Sequence, residues 1–213
     1  MAIRETPPAW YRTRAWQSMD ALSFFLVRYA DLHGRIIDDL LGRLSEEQLR
    51  RRPHPNVNTI AWLLWHTARI EDVGVNRVIA DRPQVLDDEG WLGRMKIARR
   101  DVGTGMDDAE VDDLSARIDL GALRGYWDAV TRRTLAVVET LRGQDLEPPV
   151  TTDRVMRVAF EEGAVAQKAA WLAEFWGAGR SRAWVLSQTP LLHVAGHYYE
   201  ARVVKGLWGF PSP

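Results

Sequence analysis

Three histidines are the residues of this chain whose type and spacing can do chemistry: His66, and the pair His193 and His197. The pair is separated by four positions in a segment that reads as a helix, which puts both imidazoles on one helical face, one turn apart. A helix offers two nitrogens to a single metal ion in this way. His66 lies on a separate, strongly apolar segment and supplies a candidate third ligand. Three protein ligands and one open position is the arrangement of a catalytic metal, not of a closed structural one. A His-x-x-x-His pair alone is weak evidence. Its neighbours Leu192, Val194, Ala195 and Ala201, and Trp62, Leu63, Trp65 and Ile70 around His66, strengthen it. Buried imidazoles need partners, and a divalent ion satisfies three at once. The plainer reading is three satisfied core histidines with no metal.

Glu200 follows His197 by three residues on the same side of the helix. It is the candidate catalytic residue: it would orient a ligand from behind, act on a metal-bound water, or serve as a fourth ligand. Its rival role is a surface carboxylate pairing with Arg202 or Lys205. His33 and His54 have no partner at ligand spacing and read as exposed or half-buried residues.

The segments that must position these residues read as helices. Phe25, Tyr29, Leu32, Ile36 and Leu40 recur at three- and four-residue steps over about 18–44. Ser45-Glu46-Glu47-Gln48 is a capping-box pattern opening a short helical turn, which Pro53 and Pro55 end. Asn58 or Thr59 caps a second long helix reaching about Ala80, apolar on much of its surface and therefore central. Residues 81–106 read as a long loop with one short helix. A short acidic helix starts at Asp107 or Asp108, and Asp119 caps a third long helix to about Leu141. A further helix is expected over 161–176, stopped by Gly177 and Gly179. Thr189-Pro190 gives cap and first-position signals for the last helix, with Lys205-Gly206 as its stop. No β-alternation and no internal repeat are visible. The expectation is one all-α domain over 1–213, most simply a four-helix bundle with one or more extra helices, an N-terminal extension over 1–17 and insertions at 81–106 and 145–180.

Composition narrows the function classes. The chain has 213 residues, enough to bury a sizeable core. A formal net charge of −1 gives no pull toward nucleic acid or anionic membranes. The basic runs Arg50-Arg51-Arg52 and Arg99-Arg100 read as solvated loops or helix ends. With no cysteine, disulfides, thiolate ligands and a cysteine nucleophile are excluded, so any metal site uses His and carboxylates. No apolar leader and no membrane span are evident, and the lack of cysteine suits a cytoplasmic protein. The ten tryptophans read mainly as core and interface residues, with Trp62, Trp171, Trp176 and Trp184 as candidate pocket walls. No P-loop, dinucleotide fingerprint, nucleophile elbow or EF-hand loop occurs. The carboxylates lack the paired Glu-x-x-His pattern of a helical di-iron site.

Three stretches resemble the DinB-like superfamily, which includes bacterial mycothiol- and bacillithiol-linked S-transferases. Leu44–Leu49 with Arg52-Pro53, and then Asn58 through His66, look like the family's end of helix one, its linker and its second helix. Pro190 through Glu200 looks like its last bundle helix. The resemblance covers roughly 18–80 and 110–206. It implies an up-down-down-up four-helix bundle, commonly a homodimer, with one divalent ion, zinc or nickel, on His66, His193 and His197. Glu200 falls where members often carry Gln or Glu. The implied chemistry is activation of a low-molecular-weight thiol or of water against a small-molecule electrophile. A non-catalytic, stress-linked metal-binding module and a metal-free helical dimer are the alternatives. The family name implies no nucleic-acid binding, and the segments 81–106 and 145–180 depart from the short form of the fold.

Overall fold

The computed structural model describes residues 20–209. The N-terminal extension expected over 1–17 lies outside them, as do Trp10 and Trp16. Among the described residues the chain is all-helical, with one isolated antiparallel bridge between Pro149 and Ser181. Four long elements make the bundle: α1 (Ala21–Leu41), α3 (Ile60–Glu71), α7 (Leu120–Thr140) and α11 (Val194–Leu207). Both α1 and α3 pack against α7 and against α11, so the four close into a ring around a common core.

Short-range signals set most boundaries. Asp20, Thr59 and Asp119 each accept a bond from the third following backbone N–H and cap α1, α3 and α7. Ser45 with Gln48, and Asp107 with Glu110, form reciprocal capping boxes that open α2 (Glu46–Arg50) and α6 (Asp108–Arg117). The first helix ends at Leu41, where Gly42 caps it, a little before the expected limit. Every residue of α3 is buried, which confirms its central place. It continues into a π-helical stretch, Asp72–Ile79.

Several expectations fail for identifiable reasons. Residues 81–106 contain two short helices, α4 (Val85–Asp88) and α5 (Trp91–Arg94), whose Val85, Leu86, Trp91 and Met95 are core residues. There is no single helix over 161–176. Instead α8 (Thr152–Met156) runs through a π-helical turn to Glu161, and Gly163 then leaves the helix at a φ of +69°. The backbone of Ala164 is engaged elsewhere: its carbonyl accepts from Val102 N–H at 2.9 Å. Helix α9 (Trp171–Gly177) starts only after a 3₁₀ turn at Gln167–Ala169.

Thr189-Pro190 does not start the last helix. Ser181 caps α10 (Arg182–Ser187), and a π-helical turn, Gln188–His193, joins α10 directly to α11. Pro190 has no N–H to give the preceding turn. The Thr189 hydroxyl fills in by bonding backwards to Val185 O at 3.0 Å, so it is not a cap. Lys205 and Gly206 lie inside α11, and Lys205 is buried with its ammonium on Asp39 Oδ1 at 2.5 Å. The arginine run is not uniformly solvated either. Arg50 donates to the carbonyls of Ser115 and Ile118 at the end of α6, and Arg52 pairs with Asp108 and Asp112 with only 10% of its side chain exposed. Arg100 likewise pairs with Asp87. No described helix is long and apolar enough to cross a membrane.

Candidate metal centre

The fold brings His66, His193 and His197 together. One nitrogen from each lies within 4.8 Å of the others, and the ring centroids are 4.6–5.0 Å apart. His66 comes from the middle of α3. His193 ends the π-helical turn, and His197 lies in the first turn of α11.

Each of two rings is held by its outer nitrogen. His66 Nδ1 sits 2.5 Å from Val102 O, so it carries the proton and leaves the Nε2 lone pair facing its neighbours. Val102 is presented by the turn at Gly103, whose φ of +83° and 2.5 Å clearance to Trp65 Cζ3 admit no side chain. His197 Nδ1 sits 2.7 Å from Glu200 Oε2, and Asn58 Nδ2 donates to Glu200 Oε1 at 2.9 Å. Imidazoles fixed behind by a carbonyl or carboxylate are the usual arrangement of histidine ligands. Trp62 stacks on His66 at 4.6 Å, nearly parallel.

The donor set fits a divalent ion. Burial, followed by the neighbouring His197, lowers the pKa of His66 from 6.5 to about 3. Burial, then His66 and His197, holds His193 well below its ordinary value. Both are therefore neutral, the state in which imidazole binds a metal. His193 Nε2 faces His66 Nε2 at 3.1 Å, while its buried Nδ1 has no partner. Burial pushes the Glu200 carboxyl up, but the bonds from His197 and Asn58 prevail and leave it below its usual value.

A cavity of about 360 Å³ opens beside the three rings, and all three line it. Trp62 and Ile70 of α3, Trp171, Leu172, Phe175 and Trp176 of α9, and Gln188 complete much of its wall. The segments 81–106 and 145–180 both reach it, the first through Thr104 and Gly105. Trp184 does not line it and stacks edge-on against Phe175 instead.

His54 is exposed, as expected, but His33 is not. His33 is buried in α1, stacked on Tyr29 at 3.8 Å, with Nε2 3.1 Å from Pro190 O and 3.4 Å from Glu71. Ligand spacing said nothing of this role, because its polar partners come from three other elements: Glu71 of α3, Thr131 of α7 and Pro190 of the π-helical turn. The sequence reading also passed over Asn58 as a partner of Glu200, treating it only as a cap. Val102 was passed over too, since a backbone carbonyl carries no residue-type signal.

Fold and site together define a class: a helical bundle with three imidazoles gathered against one cavity. The chain belongs to the DinB superfamily, whose family model matches residues 30–178. That span contains His66 and ends before His193 and His197. The crystal structure of a conserved protein from Enterococcus faecalis is similar at a TM-score of 0.61, covering 89% of this chain and 99% of that one at 16% identity, a likeness of fold alone. Comparison with curated proteins found no match.

Proposed function

We propose that His66, His193 and His197 hold one divalent ion, zinc or nickel, and that the protein is a metal-dependent enzyme of the thiol S-transferase type. Its nucleophile would be a low-molecular-weight thiol or water, and its target an electrophilic small molecule. One observation carries this reading: all three imidazoles face the same ligand-sized cavity. A site that keeps an open side is a working site rather than a closed structural one. Bound there, a divalent cation would lower the pKa of the thiol or water and make it nucleophilic at neutral pH.

The protein's own residues prepare that chemistry. Val102 and Glu200 fix the outer nitrogens of His66 and His197, and burial keeps His66 and His193 unprotonated. Glu200 is an orienting residue in this reading, because its two oxygens are engaged by His197 and Asn58. A non-catalytic module would want a fourth protein ligand, and Glu200 was the candidate for that part. The apolar wall formed by Ile70, Leu172 and Trp176 limits water around the reacting groups. We further propose a homodimer in the cytoplasm; the pairing is supported by the exposed apolar row of Leu192 in the π-helical turn and Tyr199, Val203 and Leu207 of α11.

The test is elemental analysis of the untagged protein beside His193→Ala. The expected result is about one divalent ion per chain in the parent and little in the variant. No stoichiometric ion after incubation with zinc or nickel overturns the proposal and leaves a metal-free bundle.

A further inference from the structure

We propose that the cavity beside the histidines takes an uncharged, flat, largely apolar molecule, anchored by the aromatic face of α9. This rests on the reading above for where the reacting group would lie, but binding of the apolar body needs no ion.

The argument begins with the order of residues on α9. Trp171, Leu172, Phe175 and Trp176 fall at i, i+1, i+4 and i+5, which is one face of a helix. All four line the cavity, whereas exposed Glu174 does not. Trp62 and Ile70 of α3 also line it. Trp171 is 58% exposed and Phe175 38%, so the aromatic face is left partly in water. Covering such rings with a ligand is favourable, and flat partners stack on them well.

Charge is the second observation. Among the described residues lining the cavity, no Lys, Arg, Asp or Glu occurs, and the polar lining beside the histidines is Thr104, Thr189 and Gln188. The Thr189 hydroxyl is already spent on Val185 O. Two nearby cations are held elsewhere. Lys168, whose stem lies by Gly105, pairs with Glu110. The Arg180 guanidinium sits over the Phe175 and Trp184 rings at 4.8 Å and 4.6 Å and donates to Phe175 O. A carboxylate or phosphate on the ligand body would be desolvated against this wall with no cationic partner. The volume, about 360 Å³, lies at the small end of ligand pockets and suits a body of two or three fused or linked rings.

The test compares two probes with the same ring system on metal-free, chelator-treated protein. N-phenyl-1-naphthylamine is uncharged, and 1-anilinonaphthalene-8-sulfonate adds one sulfonate. Fluorescence titration should show one site per chain that prefers the uncharged probe by about ten-fold or more. Trp171→Ala, at a position more than half exposed, should weaken that probe by about three-fold, and Trp171→Ala with Phe175→Ala by about ten-fold. Val27→Ser, at an exposed position of α1 that does not line the cavity, should leave it unchanged. Equal or tighter binding of the sulfonate, or undiminished binding in both α9 variants, overturns the inference. The metal reading fails separately: an elemental analysis that finds no stoichiometric ion in protein loaded with zinc or nickel, with the probe preference intact, refutes that reading alone, and stoichiometric metal without the probe preference refutes this one alone.

Discussion

Removing Glu200 separates an orienting residue from a ligand, and the structure sets the size of the effect. The carboxylate accepts from His197 Nδ1 at 2.7 Å and from Asn58 Nδ2 at 2.9 Å. A hydrogen bond to a charged group contributes about 1.5–3 kcal/mol when dry. Here the His197 and Glu200 side chains are 24% and 33% exposed, so water replaces part of the loss. Taking the low end gives about 1.4 kcal/mol, or a ten-fold weaker hold on the ion, for Glu200→Ala. Glu200→Gln keeps an acceptor but loses the charge, so about three-fold is expected. Asn58→Ala removes one of the two bonds that hold Glu200 itself and should cost about two-fold. His193→Ala, by contrast, should abolish stoichiometric binding. The assay is competition for zinc against a chromogenic chelator, with helical content checked by circular dichroism. Two results refute the reasoning. Unchanged affinity in Glu200→Ala would mean that the His197–Glu200 bond does not orient the ring. A loss as complete as that of His193→Ala would mean that Glu200 is itself a ligand.

Three further outcomes are expected. Gly103→Ala forces a side chain into left-handed backbone and to within 2.5 Å of Trp65 Cζ3. It should cost about 2–4 kcal/mol by urea denaturation, and should weaken zinc binding because Val102 O moves with it; lost stability with unchanged affinity would show that bond to be dispensable. Burial lifts the Glu71 carboxyl above its ordinary 4.5, against the lowering influence of His33, Thr134 and Tyr29. The folded chain then holds that proton more tightly than the unfolded one, so its contribution is full below about pH 4.5 and is lost as pH rises through the raised value. Glu71→Gln keeps an acceptor for Tyr29 and Thr134, and its stability relative to the parent should improve with rising pH; a pH-independent difference in urea midpoint would contradict this. Leu192→Glu with Val203→Glu should convert a dimer to a monomer in analytical ultracentrifugation, and a parent that is monomeric at all concentrations would dismiss the seam as an interface.

Much of the scaffold was legible because its signals are local. Thr59, Asp107 and Asp119 cap within three residues of themselves, and the apolar stripes of α1, α3 and α7 repeat at helical period. The three histidines were legible because two share a helical face and the third lies in a strongly apolar stretch, Ile60–Trp65. What escaped depends on contacts distant in sequence. His33 is drawn inward by Glu71 and Pro190, the latter 157 residues away, and no pattern within α1 reports that. Thr189-Pro190 misled because a Thr-Pro pair gives the same local signal at a helix start as in a wide turn within one. Its true setting is decided by whether the Thr hydroxyl bonds forward or back, which only the fold reveals.

That wide turn is also what aims His193. A π-helical turn carries an extra residue and rotates the side chains after it relative to a continuous α-helix. Left alone it would relax, since its hydrogen bonds are less favourable than those of an α-helix. Here it is clamped from two sides. Thr189 packs so tightly on Gly74 of the π-helical stretch Asp72–Ile79 that a Cβ there would lie 2.5 Å from Thr189 Oγ1. The carbonyl of Pro190 is taken by His33 Nε2–H, and His33 is seated by Tyr29 and Glu71. Glu71 is in turn bonded by Tyr29 at 2.5 Å and Thr134 at 2.6 Å. Side chains from α1, α3 and α7 thus fix the turn that delivers His193 to within 3.1 Å of His66. The buried polar groups behind the site carry a desolvation cost that an apolar core would avoid. Their arrangement accounts for it by holding one imidazole in register with two others, which helix packing alone does not do.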